Sequence, residues 1–296
     1  MRSPDQLAVV IPVYNESWEV AARTVAAVHA AFAGQGGSPR VVVVDDGSRA
    51  EFQLEKLSDR DDCILVRHEL NRGYGAALKT GVLATDAPYI AIIDADGTYP
   101  VDQLPVLWGM MDYQDMVVGV RTGEVSQIPL LRRMPKWCLN RFASYMARRP
   151  IPDLNSGMRI FSRELCYYLW GLFPNGFSFT STITMGALLG GFRVRNQPIN
   201  YFKRIGSSSI HPIKDTIRFF NIVARLGLLF TPMRFFLPLA ILLGTAGFAK
   251  GVMDYRHQGS LGNLSVTLMI AGLQVLLMGY IADLIVHSRA LGRRGP

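Results

Sequence analysis

The first two hundred residues alternate short apolar runs with segments of helical periodicity. Runs rich in β-branched residues predict five strands buried on both faces, at Leu7–Val13, Val41–Val44, Ile64–Arg67, Tyr89–Ile93 and Asp115–Val120. The segments between them predict four helices, at Trp18–Phe32, Glu51–Ser58, Gly75–Ala84 and Gln103–Met111. Such alternation is typical of an α/β domain whose mostly parallel sheet carries helices on both faces.

The last third of the chain contains two long apolar stretches. Nineteen residues separate Arg234 from Asp254, interrupted only by Lys250, and nineteen uncharged residues separate Asn263 from Asp283. As helices these stretches are about 28 Å long, close to the ~30 Å hydrocarbon core of a bilayer. Two buried core helices are the alternative to a transmembrane hairpin, whose predicted spans are 232–254 and 263–287.

An amphipathic pattern precedes the hairpin. Polar positions recur at helical spacing, opposite an apolar face, at Lys214, Arg218, Asn221 and Arg225. The pattern favours a helix over 212–231 that lies in the headgroup layer, with a packed surface helix as the alternative. The predicted organisation is therefore an α/β domain at 1–211, this juxtamembrane helix, the hairpin, and a basic cytosolic tail at 288–296.

The charge distribution separates the same two regions. The formal net charge is +8, yet residues 1–200 contain 20 basic and 20 acidic side chains, whereas residues 201–296 contain 11 and 3. A region that is both basic and apolar favours a membrane surface over nucleic acid as its partner. Positive residues flank the hairpin, and the charged residues of its loop are Asp254 and Arg256. The positive-inside rule predicts a multi-pass protein of the inner (plasma) membrane with its α/β domain and both termini in the cytosol.

Acidic residues follow two of the predicted strands where each strand ends. The second strand runs into Asp45-Asp46, and the fourth runs into Asp94-Ala95-Asp96. Ligands of open α/β sheets bind at this carboxyl edge, where two neighbouring carboxylates can hold one hard cation and, through it, a diphosphate. A second Asp-x-Asp pattern, Asp59-Arg60-Asp61, precedes a strand in a charged loop, which is typical of a solvated surface.

Six motifs follow one another along the chain: VVIPVYNE, VVVDDGS, NRGYGAALKTG, IIDADGTY, VVGVR and DLNSGMRIF. Together they resemble the family 2 glycosyltransferases of the GT-A fold, and most closely the polyprenyl-phosphate group that contains dolichol-phosphate mannose synthase. The resemblance covers residues 7–210, and the two-span tail of bacterial members extends it almost to the end. It implies a Rossmann-like GT-A catalytic domain at 1–211 that transfers a hexose, with inversion, from a nucleotide sugar to a polyprenyl phosphate.

The resemblance also assigns roles to individual residues. It implies a divalent cation, Mg²⁺ or Mn²⁺, held by Asp94, Asp96 and Thr98, the last of which stands where relatives have glutamine. Many relatives have Ser-Lys where this chain has Ser208-Ser209. The implied donor-binding residues are Pro12, Tyr14, Glu16, Val43, Asp45, Asp46, Asp94, Ala95, Asp96, Arg121, Lys203 and Arg204.

A basic segment is the candidate site for the acceptor phosphate. The segment that begins with Arg121 and ends with Arg149 contains seven basic residues, these two included, and one acid, Glu124. Beside a membrane hairpin this composition favours a lipid phosphate site over a solvated helix face. The expected acceptor residues are Arg132, Arg133, Asn155 and Ser156. The expected catalytic residues are Asp96, Arg121 and Asp153, where Asp153 acts as a base, orients the acceptor or caps its loop.

Other functions remain open. A processive polysaccharide synthase shares the nucleotide motifs but normally has a QxxRW-type motif and more membrane spans, which are missing from this sequence. A non-catalytic membrane scaffold of the same fold is disfavoured by the intact Asp94, Asp96 and Arg121. UDP-glucose and GDP-mannose lead the candidate donors, no nucleic-acid partner is expected, and self-association of the chain is left open.

Overall fold

The computed structural model describes residues 2–121, 141–176, 178–200 and 212–292. The chain divides into two units by its internal packing. The sheet unit comprises Met1–Arg141 and Pro150–Phe219, and the hairpin unit comprises Phe142–Arg149 and Phe220–Pro296. The short segment 142–149 thus belongs with the C-terminal helices, although it lies within the range predicted for the α/β domain.

A seven-stranded mixed sheet forms the centre of the described part of the sheet unit. Its strands are β1 (Leu7–Val13), β2 (Arg40–Asp45), β3 (Ile64–Arg67), β4 (Tyr89–Ile92), β5 (Met116–Arg121), β6 (Arg159–Ser162) and β7 (Val194–Ile199). Their order is β3-β2-β1-β4-β6-β5-β7, and of these seven β6 alone runs antiparallel to its neighbours. The predicted mostly parallel α/β sheet is confirmed.

The five strands predicted from apolar runs all form, with their ends within one residue of the predicted positions. β1 and β2 are buried on both faces, as a central parallel strand requires. β3 differs, because it lies at the edge of the sheet and leaves Ile64 exposed. The prediction that every strand is buried on both faces is therefore wrong for β3.

Helices of the sheet unit cover the sheet. In chain order they are α1 (Trp18–Phe32), α2 (Tyr74–Leu83), α3 (Leu104–Gly109), α5 (Arg163–Tyr168) and α6 (Phe179–Leu189). Between α3 and α5 the chain forms α4, described over 141–147, which belongs to the hairpin unit from residue 142 onward. The helix predicted at Glu51–Ser58 is instead two 3₁₀ turns, Ala50–Phe52 and Leu54–Asp59. Gln53, between these turns, has a φ of 51°, and this left-handed conformation interrupts a continuous helix.

The antiparallel strand β6 determines which residues meet at the carboxyl edge. It lies between β4 and β5, and Arg159 at its start is opposite Ile92 at the end of β4. The loop that precedes β6 therefore lies at the edge where β4 and β5 end. As a result, Asp94, Arg121 and residues 153–157 converge on one edge of the sheet.

Three further helices follow: α7 (Pro212–Phe230), α8 (Pro232–Gln258) and α9 (Asn263–Gly292). The last two contain stretches long and apolar enough to cross a membrane, of which only 17% and 11% are buried. Core helices of a soluble protein would be largely covered, so these exposed apolar surfaces indicate membrane association. The two helices pack closely, because a Cβ atom at Gly247 would lie 2.8 Å from the Met269 amide nitrogen.

Candidate active site

Asp94 and Asp96 lie half-buried just beyond the end of β4. Asp96 Oδ1 accepts hydrogen bonds from the Thr98 amide at 3.1 Å and from the Thr98 hydroxyl at 2.6 Å. Thr98 is itself buried, so its hydroxyl supports the carboxylate of Asp96 from the protein side. Direct ligation of a cation by Thr98 stays a prediction.

Asp94 is oriented by two residues that lie within the quoted motifs but to which the sequence analysis gave no role in the site. The hydroxyl of Tyr74, the first residue of α2, donates to Asp94 Oδ1 at 3.0 Å. Burial, followed by the nearby Asp94 charge, holds the pKa of Tyr74 well above its usual value, so its phenol remains a donor. On the other side Oδ2 packs against Gly157, where a Cβ atom would lie only 2.4 Å away. A side chain at position 157 would therefore displace this carboxylate.

Asp45, the last residue of β2, is fully buried. Its Oδ1 accepts a hydrogen bond from the Ser48 amide at 2.8 Å, and its Oδ2 lies 2.9 Å from Arg67 Nε. These contacts hold the turn after β2 against β3. A contact between Asp45 and a nucleoside stays a prediction.

Asp46 fixes the loop that carries Tyr74. Its carboxylate accepts hydrogen bonds from the amides of Arg72 at 2.9 Å and Gly73 at 2.8 Å. Its Oδ1 also lies 2.7 Å from Nδ1 of the buried His68. Asp46 thus supports the loop of the NRGYG motif, and its predicted contact with the donor stays untested.

The loops after β1 and β2 are joined by a hydrogen bond at 2.8 Å from the Asn15 amide to Ser48 Oγ. Tyr14 is half exposed on the first loop, at 50%, whereas Val43 is fully buried within β2. The sheet thus brings together four of the expected nucleoside-binding residues at the ends of β1 and β2, namely Pro12, Tyr14, Glu16 and Asp45.

A bidentate ion pair joins the end of β5 to the loop before β6. Arg121 donates Nε to Asp153 Oδ2 at 2.6 Å and Nη2 to Asp153 Oδ1 at 2.8 Å. Burial tends to raise the pKa of Asp153, but the hydrogen bonds and charge of the Arg121 guanidinium, together with backbone amides, outweigh burial and leave this pKa below its ordinary value. The Asn155 amide adds a hydrogen bond to Oδ1 at 3.1 Å. A carboxylate stabilised in this way is a weak proton acceptor.

Arg159 holds the same loop from inside the protein, and the sequence analysis did not assign it to the site. It is fully buried and donates to the carbonyl of Ser156, to Thr180 O at 2.9 Å and to Thr184 Oγ1 at 2.7 Å. Burial lowers the pKa of Arg159 to about 10, which leaves it charged at neutral pH. Its position inside the DLNSGMRIF motif is the one sequence signal that could have indicated it.

The expected acceptor residues are only partly described. The Ser156 hydroxyl donates to Gly119 O at 2.5 Å, and Asn155 Oδ1 accepts from the Ser181 hydroxyl at 2.5 Å. Both side chains thus fix the loop before β6, and their contact with an acceptor phosphate stays a prediction. Four expected site residues lie outside the described residues, namely Arg132, Arg133, Lys203 and Arg204.

Comparison with known families agrees with this geometry. Residues 8–170, more than half of the chain, match the model of glycosyl transferase family 2. The chain belongs to glycosyl transferase family 2. In the hairpin unit of this glycosyltransferase, residues 231–287 match the GtrB C-terminal hairpin. The predicted GT-A fold with a C-terminal two-helix hairpin is thereby confirmed.

Two archaeal relatives are similar to the glycosyltransferase over most of its length. The dolichyl-phosphate hexose transferase of Haloferax volcanii is 29% identical over 210 residues, which are 70% of this chain and 88% of the relative. The low-salt glycan biosynthesis hexosyltransferase Agl6 of the same organism is 29% identical over 286 residues, which are 92% of this chain and 67% of the relative.

A solved structure supports the fold. Glucosyl-3-phosphoglycerate synthase from Mycobacterium tuberculosis, in complex with Mn²⁺, UDP-glucose and phosphoglyceric acid, superimposes with a TM-score of 0.57 at 16% sequence identity. The match covers 75% of this chain and 79% of that one. Divalent cations thus occur together with a nucleotide sugar in a structural neighbour of the glycosyltransferase.

The two carboxylates after β4 fit one kind of cation site. No group of three or more His, Cys, Asp or Glu side chains within the described residues could form a metal site from protein alone. Mg²⁺ usually binds through one or two carboxylates and completes its coordination with substrate phosphates and water. Asp94 and Asp96 provide two carboxylates at the carboxyl edge of the sheet, where ligands of such sheets bind. They match a site in which protein carboxylates supply some of the ligands of the cation and substrate phosphates and water supply the others.

Proposed function

We propose that this glycosyltransferase transfers a hexose from a nucleotide sugar to a polyprenyl phosphate at the cytosolic face of the plasma membrane, with inversion at the anomeric carbon. One observation carries the proposal: a single chain combines the Asp94/Asp96 pair and the Arg121–Asp153 ion pair at one sheet edge with two exposed apolar helices. The relative named as a dolichyl-phosphate hexose transferase supports this class of acceptor.

The chemistry needs charge compensation more than proton transfer. The second pKa of a phosphate monoester is near 6, so the acceptor is already largely a dianion at pH 7. One of its oxygens attacks the anomeric carbon, the bond from that carbon to the donor diphosphate breaks, and a nucleoside diphosphate leaves. The protein must therefore align two anions that repel each other and stabilise the charge that develops on the leaving group.

The residues at the sheet edge divide this work. A divalent cation held by Asp94 and Asp96 would supply Lewis-acid stabilisation of the leaving diphosphate. Arg121 donates two of its N–H groups to Asp153, which fixes the guanidinium at the sheet edge, where its positive charge would attract phosphate oxygens. Asp153 acts in this scheme by orienting Arg121 and not as a general base, because its pKa is lowered. Arg132 and Arg133 are the proposed ligands of the acceptor phosphate.

The proposed reaction can be tested with purified full-length protein and undecaprenyl phosphate. The donors are UDP-glucose, GDP-mannose, UDP-GlcNAc and UDP-galactose, each assayed with Mg²⁺, with Mn²⁺ and with excess EDTA. We expect one donor to give a lipid-linked hexose that requires both the cation and the acceptor. Full activity in excess EDTA would remove the cation from the proposal, and failure of every donor to label the lipid would contradict the acceptor class.

The proposed topology has its own test. Single cysteines at Ser260, in the loop between α8 and α9, and at Ser288, near the end of α9, are introduced into a chain without native cysteines. Both positions are exposed. A membrane-impermeant maleimide should reach position 288 from the cytosolic side and position 260 from the opposite side. Labelling of both positions from the cytosolic side would exclude a spanning hairpin.

A further inference from the structure

Within the hairpin unit, α4 and the first turn of α8 exchange two hydrogen bonds. The Arg234 guanidinium donates to the Met146 carbonyl, and the Tyr145 hydroxyl donates to the Arg234 carbonyl at 3.1 Å. In a regular helix the carbonyl of residue 234 would accept from the amide of residue 238. That residue is Pro238, which has no amide hydrogen. Tyr145 therefore supplies the donor that proline removes, and this repair attaches α4 to α8.

The attachment places three cations at the junction of α4 and α8. Arg148 and Arg149 follow α4 directly, are exposed, and lie within three residues of the carbonyl that Arg234 binds. The Arg148 amide donates a hydrogen bond to the Tyr145 carbonyl at 3.3 Å, which keeps this part of the chain close to the end of α4. We call Arg148, Arg149 and Arg234 the junction arginines.

The junction arginines have no acidic counterpart nearby in the hairpin unit. Residues 142–149 and 220–253 contain no aspartate or glutamate. Among described residues, no carboxylate forms an ion pair with any of the three, and the charges of Arg148 and Arg234 repel each other. The same region exposes Tyr145, Phe220 and Leu228, and the first exposed large apolar residue of α8, Leu237, lies three residues after Arg234. Cations and an amphipathic tyrosine at the end of an apolar helix are typical of the phospholipid headgroup level.

We infer that the junction arginines bind the phosphate of an acidic membrane phospholipid, a site separate from the polyprenyl-phosphate acceptor. The inference rests on the topology under the proposed function, which puts the start of α8 at the cytosolic leaflet. An acidic phospholipid supplies the missing negative charge through its phosphate and places its acyl chains beside the exposed residues of α8. Arginine also presents several N–H groups to one phosphate, which favours such a contact over simple charge attraction.

The test is lipid retention by the full-length protein in detergent, measured by native mass spectrometry. Phosphatidylglycerol and phosphatidylcholine are added in equal amounts to the wild type and to three variants. R148Q/R149Q removes two of the three charges, R148K/R149K keeps them, and R40Q/R195Q removes two charges from exposed strand positions of the sheet unit. At about fivefold per basic residue near the membrane surface, R148Q/R149Q should bind phosphatidylglycerol about 25-fold more weakly. The R40Q/R195Q control should retain it, and the lysine pair, which keeps the charges but not the several N–H groups of each guanidinium, should lose less than R148Q/R149Q.

Two results would overturn the inference. Retention of phosphatidylglycerol by R148Q/R149Q at the wild-type level would exclude the junction arginines as its site. Displacement of bound phosphatidylglycerol, one for one, by undecaprenyl phosphate would assign the cluster to the acceptor instead. Neither result concerns the proposed hexosyl transfer, and a protein that transfers no sugar but still retains phosphatidylglycerol through these arginines would contradict the transfer alone.

Discussion

In the sheet unit the charged side chains around the site are ion-paired or hydrogen-bonded within the protein, whereas in the hairpin unit three arginines form no ion pair with a carboxylate of the described residues. Asp45 is paired with Arg67, Asp46 with His68 and amides, and Asp153 with Arg121, and the buried Arg159 is held by backbone carbonyls and hydroxyls. The hairpin unit instead has long exposed apolar faces and one described lysine–carboxylate pair, Lys250–Asp254. Internal pairing fixes the geometry of catalytic groups, while unpaired cations remain available to a charged surface.

This contrast fits the two environments of the units, an aqueous site that binds phosphates and a lipid membrane. A site that handles a diphosphate and a phosphate must resist distortion by their charges, and ion pairs with hydrogen-bonded support provide that rigidity. A membrane-facing unit needs apolar surface and positive charge at the headgroup level, and internal acids would neutralise that charge. The following changes test each half of this comparison.

The largest effect is expected at Asp96. Replacement by Asn keeps the shape of the side chain but removes the charge that would hold the cation. The kcat/KM for sugar transfer should fall by at least about a hundredfold, or ~2.7 kcal/mol. Asp61 belongs to the second Asp-x-Asp pattern and is exposed, so D61N is the matched control and should stay within about twofold. Equal losses in both variants would mean that Asp96 has no special role.

Asp153 should matter for stability as well as for activity. D153N leaves Arg121 without its ionic partner, and we expect the free energy of unfolding to fall by ~1.5–3 kcal/mol. The comparison is D112N, which removes the longer pair of Arg2 and Asp112, whose atoms are 3.7 Å apart, and which should cost less than ~1 kcal/mol. Urea unfolding in detergent measures both values, and a smaller loss in D153N than in D112N would contradict the internal-pairing half of the comparison.

The pH dependence of the free energy of unfolding tests whether ionised Asp153 stabilises the folded protein. Its folded-state pKa lies below the ordinary value of 3.8, so the ionised form is favoured by folding. The stability difference between wild type and D153N should therefore be constant from about pH 5 to pH 8 and shrink as the pH falls through that lower pKa. A difference that grows on acidification would contradict the ion pair.

Tyr74 should have an intermediate effect on the cation. Y74F removes the hydroxyl that donates to Asp94 and leaves the ring in place. Loss of such a supporting hydrogen bond typically weakens a metal site by about tenfold or more, so Mn²⁺ should bind more weakly in the presence of nucleoside diphosphate. Electron paramagnetic resonance of free Mn²⁺ measures this without turnover. Y113F, at an exposed tyrosine that precedes the start of β5 and so lies at the opposite end of this strand from Arg121, is the control and should bind Mn²⁺ normally.

The smallest effect is expected in the hairpin unit, at the Tyr145–Pro238 repair. Y145F should lower the free energy of unfolding by ~1 kcal/mol, because the carbonyl of Arg234 loses its donor. In a P238A background the restored amide can serve that carbonyl, and Y145F should then be nearly neutral. Thermal unfolding of the four proteins of this double-mutant cycle measures the coupling. Equal costs of Y145F in both backgrounds would show that the tyrosine does not compensate for proline.

The sequence predicted features that depend on local pattern and missed those that depend on distant partners. Apolar β-branched runs were enough to predict β1 to β5, and two long apolar stretches were enough to predict two helices of membrane-spanning length. β6 was missed because it is short and begins with a charged residue, Arg159, whose acceptors lie on a different helix. A buried arginine in a strand cannot be recognised until its acceptors are known.

The candidate site shows the same limit. The aspartates after β2 and β4 could be found because polar residues after apolar strands indicate a ligand edge. The contacts of Tyr74 and Gly157 with Asp94 could not be predicted from the sequence, because only the order of the strands in the sheet brings these residues together. The link between Tyr145 and α8 depends on an amide that Pro238 lacks, and no periodicity within α4 indicates it.

The central claim is tested most directly by the products formed from undecaprenyl phosphate and the active nucleotide sugar. Mass spectrometry of the lipid and chromatography of the nucleotide identify which bond of the donor is broken. The account predicts a lipid heavier by one hexosyl group, with a single phosphate, and an equal amount of nucleoside diphosphate. Release of nucleoside monophosphate with a lipid diphosphate sugar, or of free hexose with unchanged lipid, would contradict it.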